Sequence, residues 1–181
     1  MALEGSLSAP ATAPPRTLTA SASRALAALR ILLGLIFAWA FVDKLFGLGF
    51  STPAGRGVLN GKSPTKGYLG SLDGWLSDPL GALAGQWWVD LLFMAGLGVL
   101  GLTLLLGIAL RAAAWTGALL LALMWLSMLP LQDNPVLDQH VIYAAALFVL
   151  AATDAGATWG LARAWRATLK ARAPRLLPVL G

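Results

Sequence analysis

Asp138, His140 and Tyr143 lie in one run, Asp138-Gln139-His140-Val141-Ile142-Tyr143. If that run opens a helix, His140 and Tyr143 are three residues apart and share a face. The start of a helix disfavours a cationic imidazole, whereas Asp138 and nearby Asp133 favour it. A histidine balanced in this way can take or give a proton near neutral pH. The plainer alternative is an interfacial histidine with its hydrogen bonds satisfied. Asp43-Lys44 is the second unusual pair, because ionisable residues at the end of an apolar run are costly and are usually paired or functional. Trp39 lies one turn below Asp43, and Lys44 can snorkel to headgroups with Asp43 as its partner. Asp133 and Asp138 also suit Ca²⁺ or Mg²⁺, although the sequence does not display the necessary number of ligands.

These residues sit at the ends of apolar runs. The 181-residue chain is 58% hydrophobic and 12% charged, with a mean hydropathy of +0.74, whereas soluble domains carry about 25% charged residues. Runs near Ala25–Leu45, Trp88–Leu106, Ala112–Leu129 and Val136–Thr153 are long enough to cross roughly 30 Å of hydrocarbon at about 1.5 Å per residue. The expected fold is all-α, an integral membrane four-helix bundle. Residues 1–23, rich in Ala, Pro, Ser and Thr, read as a disordered cytoplasmic tail. Residues 24–163 form the membrane domain, with a long outer loop over 47–86. Residues 164–181 form a basic cytoplasmic tail, with an amphipathic segment on the inner leaflet that frays at its end. The first run is too long for a signal-peptide core and is expected to be retained.

The second and third runs meet at Leu110-Arg111, and the third and fourth are joined by Pro130–Pro135, so both hairpins are antiparallel. Nine of the thirteen Lys and Arg then fall on one side, with a local charge of about +7 against −2 on the other. The positive-inside rule makes the basic side cytoplasmic and puts both termini there, in a bacterial plasma membrane. The outer side holds Asp43, Asp90, Asp133, Asp138 and His140, which helix packing would bring toward one pocket at outer-leaflet depth. The loop would roof that pocket, with Tyr68 to Trp88 forming a helical lid kinked at Pro79. Trp75, Trp87, Trp88, Trp159 and Trp165 read as an aromatic belt.

Several chemistries are excluded or disfavoured. Gly96-Leu97-Gly98-Val99-Leu100-Gly101 matches GxGxxG, but a dinucleotide loop needs a preceding strand, and these glycines lie inside an apolar helix. They read instead as a surface for close helix approach. The absence of cysteine removes thiol chemistry and iron–sulfur ligation by this chain. A single histidine leaves no two-histidine haem within one subunit, so neither haem nor an iron–sulfur cluster is expected. The basic residues flank membrane helices and do not indicate nucleic acid.

Arg30–Phe37, Asp43-Lys44-Leu45, Ser63-Pro64-Thr65-Lys66-Gly67-Tyr68-Leu69, Leu104–Arg111 and Asp138–Tyr143 together resemble the DoxX/DoxD family of small four-helix bacterial membrane proteins, over about residues 25–162. The resemblance implies quinone-linked oxidation, in the manner of a thiosulfate:quinone oxidoreductase membrane subunit. Such a subunit would pass reducing equivalents from an outer-face substrate or partner to menaquinone or ubiquinone. On this expectation His140 donates a proton to a quinone oxygen, with Asp138 or Asp133 as its tuner and Asp43 in the same acid group. Trp39, Tyr143 and Asp90 contact the cofactor, and Lys44 and Lys66 attract an anionic substrate. The expected partners are the lipid bilayer, the quinone and either a partner subunit or further copies of the chain. The alternative is a non-catalytic membrane anchor for a respiratory or oxidative-stress complex. A small transporter is disfavoured by the lack of polar residues at mid-bilayer depth.

Overall fold

Thr19 starts the first helix, its hydroxyl accepting a hydrogen bond from the Ala22 amide at 3.3 Å, and Gly47 ends it in the left-handed region at φ 68°. The computed structural model describes residues 18–131 and 134–181. Helix α1 spans Ala20–Phe46, followed by the short helices α2 (Lys66–Leu69) and α3 (Ser77–Gly81). The long helices α4 (Trp87–Leu106) and α5 (Leu110–Ser127) come next, then α6 (Gln139–Ala152), α7 (Ala162–Arg172) and α8 (Leu177–Leu180). No strand occurs among the described residues.

Three helices, α1, α4 and α5, are long and apolar enough to cross a membrane. The fourth apolar run is helical only over the 14 residues of α6, about 21 Å at 1.5 Å per residue. Leu32, Val99, Leu102, Trp115, Ile142 and Val149 point outward from all four helices and are exposed. This uncovered apolar surface is what lipid-facing helices require and what a water-facing bundle would hide.

Helix α1 lies along α4, α5 lies along α6, and α4 meets α5. All three pairings are antiparallel, because Gly34 faces Leu105 while Phe41 faces Gly98, Gly96 faces Leu120 while Leu100 faces Gly117, and Trp115 meets Phe148 while Trp125 reaches back to Val136. Leu33, Phe37, Leu97, Leu100, Leu104, Leu121, Leu147 and Leu150 fill the interior. At Gly101 an added Cβ would stand 2.7 Å from the Ala38 amide nitrogen. The α1–α4 contact is therefore backbone against backbone, as the reading of this glycine run as a packing surface expects.

The start of α1, the end of α4 and the C-terminal segment gather at one end. Arg30 is fully buried there and donates to the carbonyls of Leu104, of Leu105 at 3.0 Å and of Trp159 at 3.0 Å. It neutralises the negative end of α4 and ties it to the turn before α7. The C-terminal segment, expected to fray, is folded as helix to Leu180. Trp165 Nε1 donates to the Leu180 carbonyl at 2.6 Å and Arg111 to that of Pro178 at 3.3 Å, folding α8 back onto α5 and α7. Residues 20–23, expected to belong to the N-terminal tail, are already helical.

Candidate functional site

The long loop leaves α1 at its far end, and polar contacts to α1, α4, α5 and the turn after α5 hold it in place. The Asp43 carboxylate accepts from the Ser51 hydroxyl at 2.7 Å and from the amides of Thr52 and Phe50 at 2.8 and 3.4 Å. It is fully buried, so those donors replace the water that an ionised carboxylate would otherwise keep. Asp90, in the first turn of α4, accepts from the hydroxyls of Ser63 and Thr65 at 2.9 and 2.5 Å, which pins the Ser63-Pro64-Thr65 segment. The Tyr68 hydroxyl meets the Ser127 hydroxyl at 2.6 Å, and the Trp75 amide donates to the Leu129 carbonyl at 3.2 Å. The loop is thus fastened to α1, α4 and α5 in turn.

Beneath it lies a cavity of about 1230 Å³ between α4 and α5. Its walls are largely apolar, including Trp88, Phe93, Leu120 and Met124. On its open side Leu92, Leu119 and Leu123 are 64, 62 and 54% exposed, so an entrant can arrive from between the helices. The loop end is polar and cationic. Lys44, Arg56, Lys62 and Lys66, the four bases of that end, all line the cavity, and no carboxylate does so among the described residues. Lys44 extends over Phe93, its Nζ 6.0 Å from the ring centre.

A second centre stands apart from this cavity. Asp138 caps α6, one carboxylate oxygen accepting from the amides of His140 and Val141 at 2.9 and 3.4 Å. Its other oxygen lies 2.6 Å from His140 Nδ1. Asp138 precedes the helix. Burial works against its carboxylate, but the hydrogen bond and charge of His140, with the two amides, hold it below the usual carboxylate range. The pair fixes the imidazole's orientation, which is what a proton-exchanging histidine requires.

The structure therefore divides the expected single pocket. Lys44 and Lys66 line the cavity, whereas Asp43 and Asp90 stand behind its wall as anchors for Ser51, Thr52, Ser63 and Thr65. Asp43 is not the ion-pair partner of Lys44, because backbone and hydroxyl donors from the following turn reach it first. His140, Asp138 and Tyr143 do not line the cavity, and Tyr143 packs against the core. Trp39 stacks edge-on with Phe50 at 5.2 Å on an exposed face, away from the cavity. Asp133 lies outside the described residues. The expected helix from Tyr68 to Trp88 is broken into α2 and α3, with Gly70 and Gly74 between them, and Pro79 sits inside α3. Sequence reasoning missed the Tyr68–Ser127 contact and the burial of Arg30. The signal available for the roof was Ser63-Pro64-Thr65, whose two hydroxyls one carboxylate can gather.

No family model matches this chain, and no curated protein or solved structure matches it.

Proposed function

We propose that this is a multi-pass membrane protein that binds a membrane-soluble amphiphile in the cavity between its long loop and α4–α5. The observation that carries this reading is the cavity itself, with apolar walls, an open side between two apolar helices and a polar roof. In this reading α6 makes a fourth crossing, both termini are cytoplasmic and the membrane is the bacterial plasma membrane. The support is the segregation of bases to the end that gathers the start of α1 and the C-terminal segment.

The DoxX/DoxD resemblance adds a redox use, as the membrane subunit of a quinone-linked oxidoreductase. A quinone's ring and isoprenoid tail suit the volume and apolar walls, and the Lys44 ammonium presents a donor of the kind its carbonyls need. A bound quinone would supply the capacity to accept electrons and protons. The residues of this chain would hold its ring under the roof and keep water out. Ring contacts then fall to Phe93 and Trp88 in place of Trp39 and Tyr143. The reading as an anchor subunit draws on Phe50, Leu59, Trp75 and Trp87, which are large, apolar and exposed at the loop end.

Gentle extraction followed by analysis of the lipid-soluble fraction tests the binding reading. A molecule retained in proportion to protein, and lost when Leu123→Trp obstructs the open side of the cavity, is the expected result. His140→Ala should leave retention unchanged. Retention that survives Leu123→Trp but disappears in His140→Ala would move the site to the start of α6 and overturn the proposal.

A further inference from the structure

We infer that the occupant of this cavity is an anionic phospholipid of the surrounding bilayer, its phosphate held among Lys44, Arg56, Lys62 and Lys66. The inference rests on the reading of the cavity as an amphiphile site and adds the charge of the head. An acyl tail is as well solvated by bilayer as by leucine side chains, so tail burial gives no preference over the bulk lipid outside. Selection must come from the head. At that end the structure gathers four cations and, among the described residues, no lining carboxylate. Asp43 and Asp90 stand one layer behind, with both oxygens of Asp43 and Oδ1 of Asp90 taken by hydroxyl and amide donors. They offset part of the positive charge and leave a surplus facing the cavity.

Position reinforces the charge. Arg56, Lys62 and Lys66 are exposed at the mouth, whereas Lys44 is half-buried against Phe93. A charge held beside apolar walls acts through a lower effective dielectric than one in water and attracts an anion more strongly. The hydroxyls of Ser71 and Tyr68, both in the lining, already donate to the Tyr68 carbonyl and the Ser127 hydroxyl, which leaves the phosphate to the four cations. The volume of about 1230 Å³ also exceeds the roughly 300–1,000 Å³ usual for compact small-molecule sites. That leaves room for a head with its acyl chain.

The test uses the full chain reconstituted in bilayers of equal parts phosphatidylglycerol and phosphatidylcholine. It is then extracted in mild detergent, and the retained lipid is weighed on the intact complex by mass spectrometry. The expected result is one retained phosphatidylglycerol per chain, enriched about tenfold, the scale that one or two basic residues supply against an anionic lipid. Lys44→Gln combined with Lys62→Gln should bring the enrichment close to unity, and Lys44→Arg with Lys62→Arg should keep it. Unchanged helicity and elution of both variants exclude misfolding as the cause. Equal retention of the two lipids, preferential retention of an added quinone, or an enrichment that ignores the glutamine substitutions would each overturn the anionic assignment. The first two outcomes leave the amphiphile site standing. No retention of any amphiphile by the unsubstituted chain would overturn both.

Discussion

Replacing Gly96, Gly98 and Gly101 one at a time with alanine grades how closely α4 approaches its neighbours. At Gly96 the new methyl would meet only the end of the Leu120 side chain, at 3.5 Å. At Gly98 it would stand 3.1 Å from the Phe41 ring, which can turn. At Gly101 it would stand 2.7 and 2.9 Å from the Ala38 backbone nitrogen and Cα, which cannot. Carbon contacts relax at roughly 3.5–4.0 Å, so α1 must retreat by about 0.7–1 Å, and such a gap forfeits a quarter to a half of each contact it opens. Overpacking of this kind costs about 1–3 kcal/mol, against a gain of up to about 1 kcal/mol from exchanging glycine for alanine in a helix. Gly101→Ala should therefore lose up to about 2 kcal/mol net, Gly98→Ala should lie near zero and Gly96→Ala should be neutral or slightly stabilising. Reversible unfolding in mixed detergent micelles reads the order directly. A Gly101→Ala protein as stable as Gly96→Ala would refute the backbone-to-backbone contact of α1 with α4.

Other expectations follow from the buried polar groups. Arg30→Gln should cost about 3 kcal/mol, from two or more charge-assisted bonds to carbonyls, with Arg30→Lys intermediate because one ammonium cannot span both α4 and the 158–159 turn; denaturant titration of the three proteins checks this. Asp43→Ala should destabilise by about 1.5–3 kcal/mol and speed amide exchange at Phe50 and Thr52, while leaving Asp90 and its partners protected. Tyr68→Phe should cost about 1 kcal/mol and loosen the roof, seen as faster exchange across Lys66–Leu69. Asp138 is held below its unfolded pKa of about 3.9, so its stabilisation is present above that value and is lost as pH falls through the lower folded one. Asp138→Asn should accordingly lower stability at neutral pH and flatten the acid limb of the unfolding profile. An acid limb identical to that of the parent would refute that role.

Helices α1, α4 and α5 were legible because long runs of Leu, Ala and Val announce themselves by length, although the start of α1 at Thr19 lay inside the segment read as a disordered tail. The fourth was legible as an apolar run but not in extent, since Val136 to Asp138 are taken up by a turn that Asn134 and Asp138 cap. The loop was harder. Tyr68, Leu72, Trp75 and Leu76 have helical spacing, yet glycines at 70 and 74, the hold of Ser127 on the Tyr68 hydroxyl and that of the Leu129 carbonyl on the Trp75 amide break the segment. Asp43 and Asp90 were visible as unusual acids, but a sequence does not show whether a carboxylate will face a cavity or be taken by hydroxyls and amides from the next turn. Arg30 resembled a flanking cation because its carbonyl partners lie 74 and more residues away. Lys44 and Lys66 were legible as cations of the loop end. Their meeting with Arg56 and Lys62 over one cavity depends on how the loop folds back.

The most direct test places a photoreactive residue at Met124, inside the cavity, and for comparison at Val149, on the outward face of α6. After irradiation in native membrane, the mass of the adduct at each position is measured. At position 149 the adducts should mirror the bulk lipid, whereas at 124 a single amphiphile with an anionic phosphate head should dominate. The same lipid mixture at both positions would contradict the account, because the cavity would then be an ordinary stretch of lipid-facing surface.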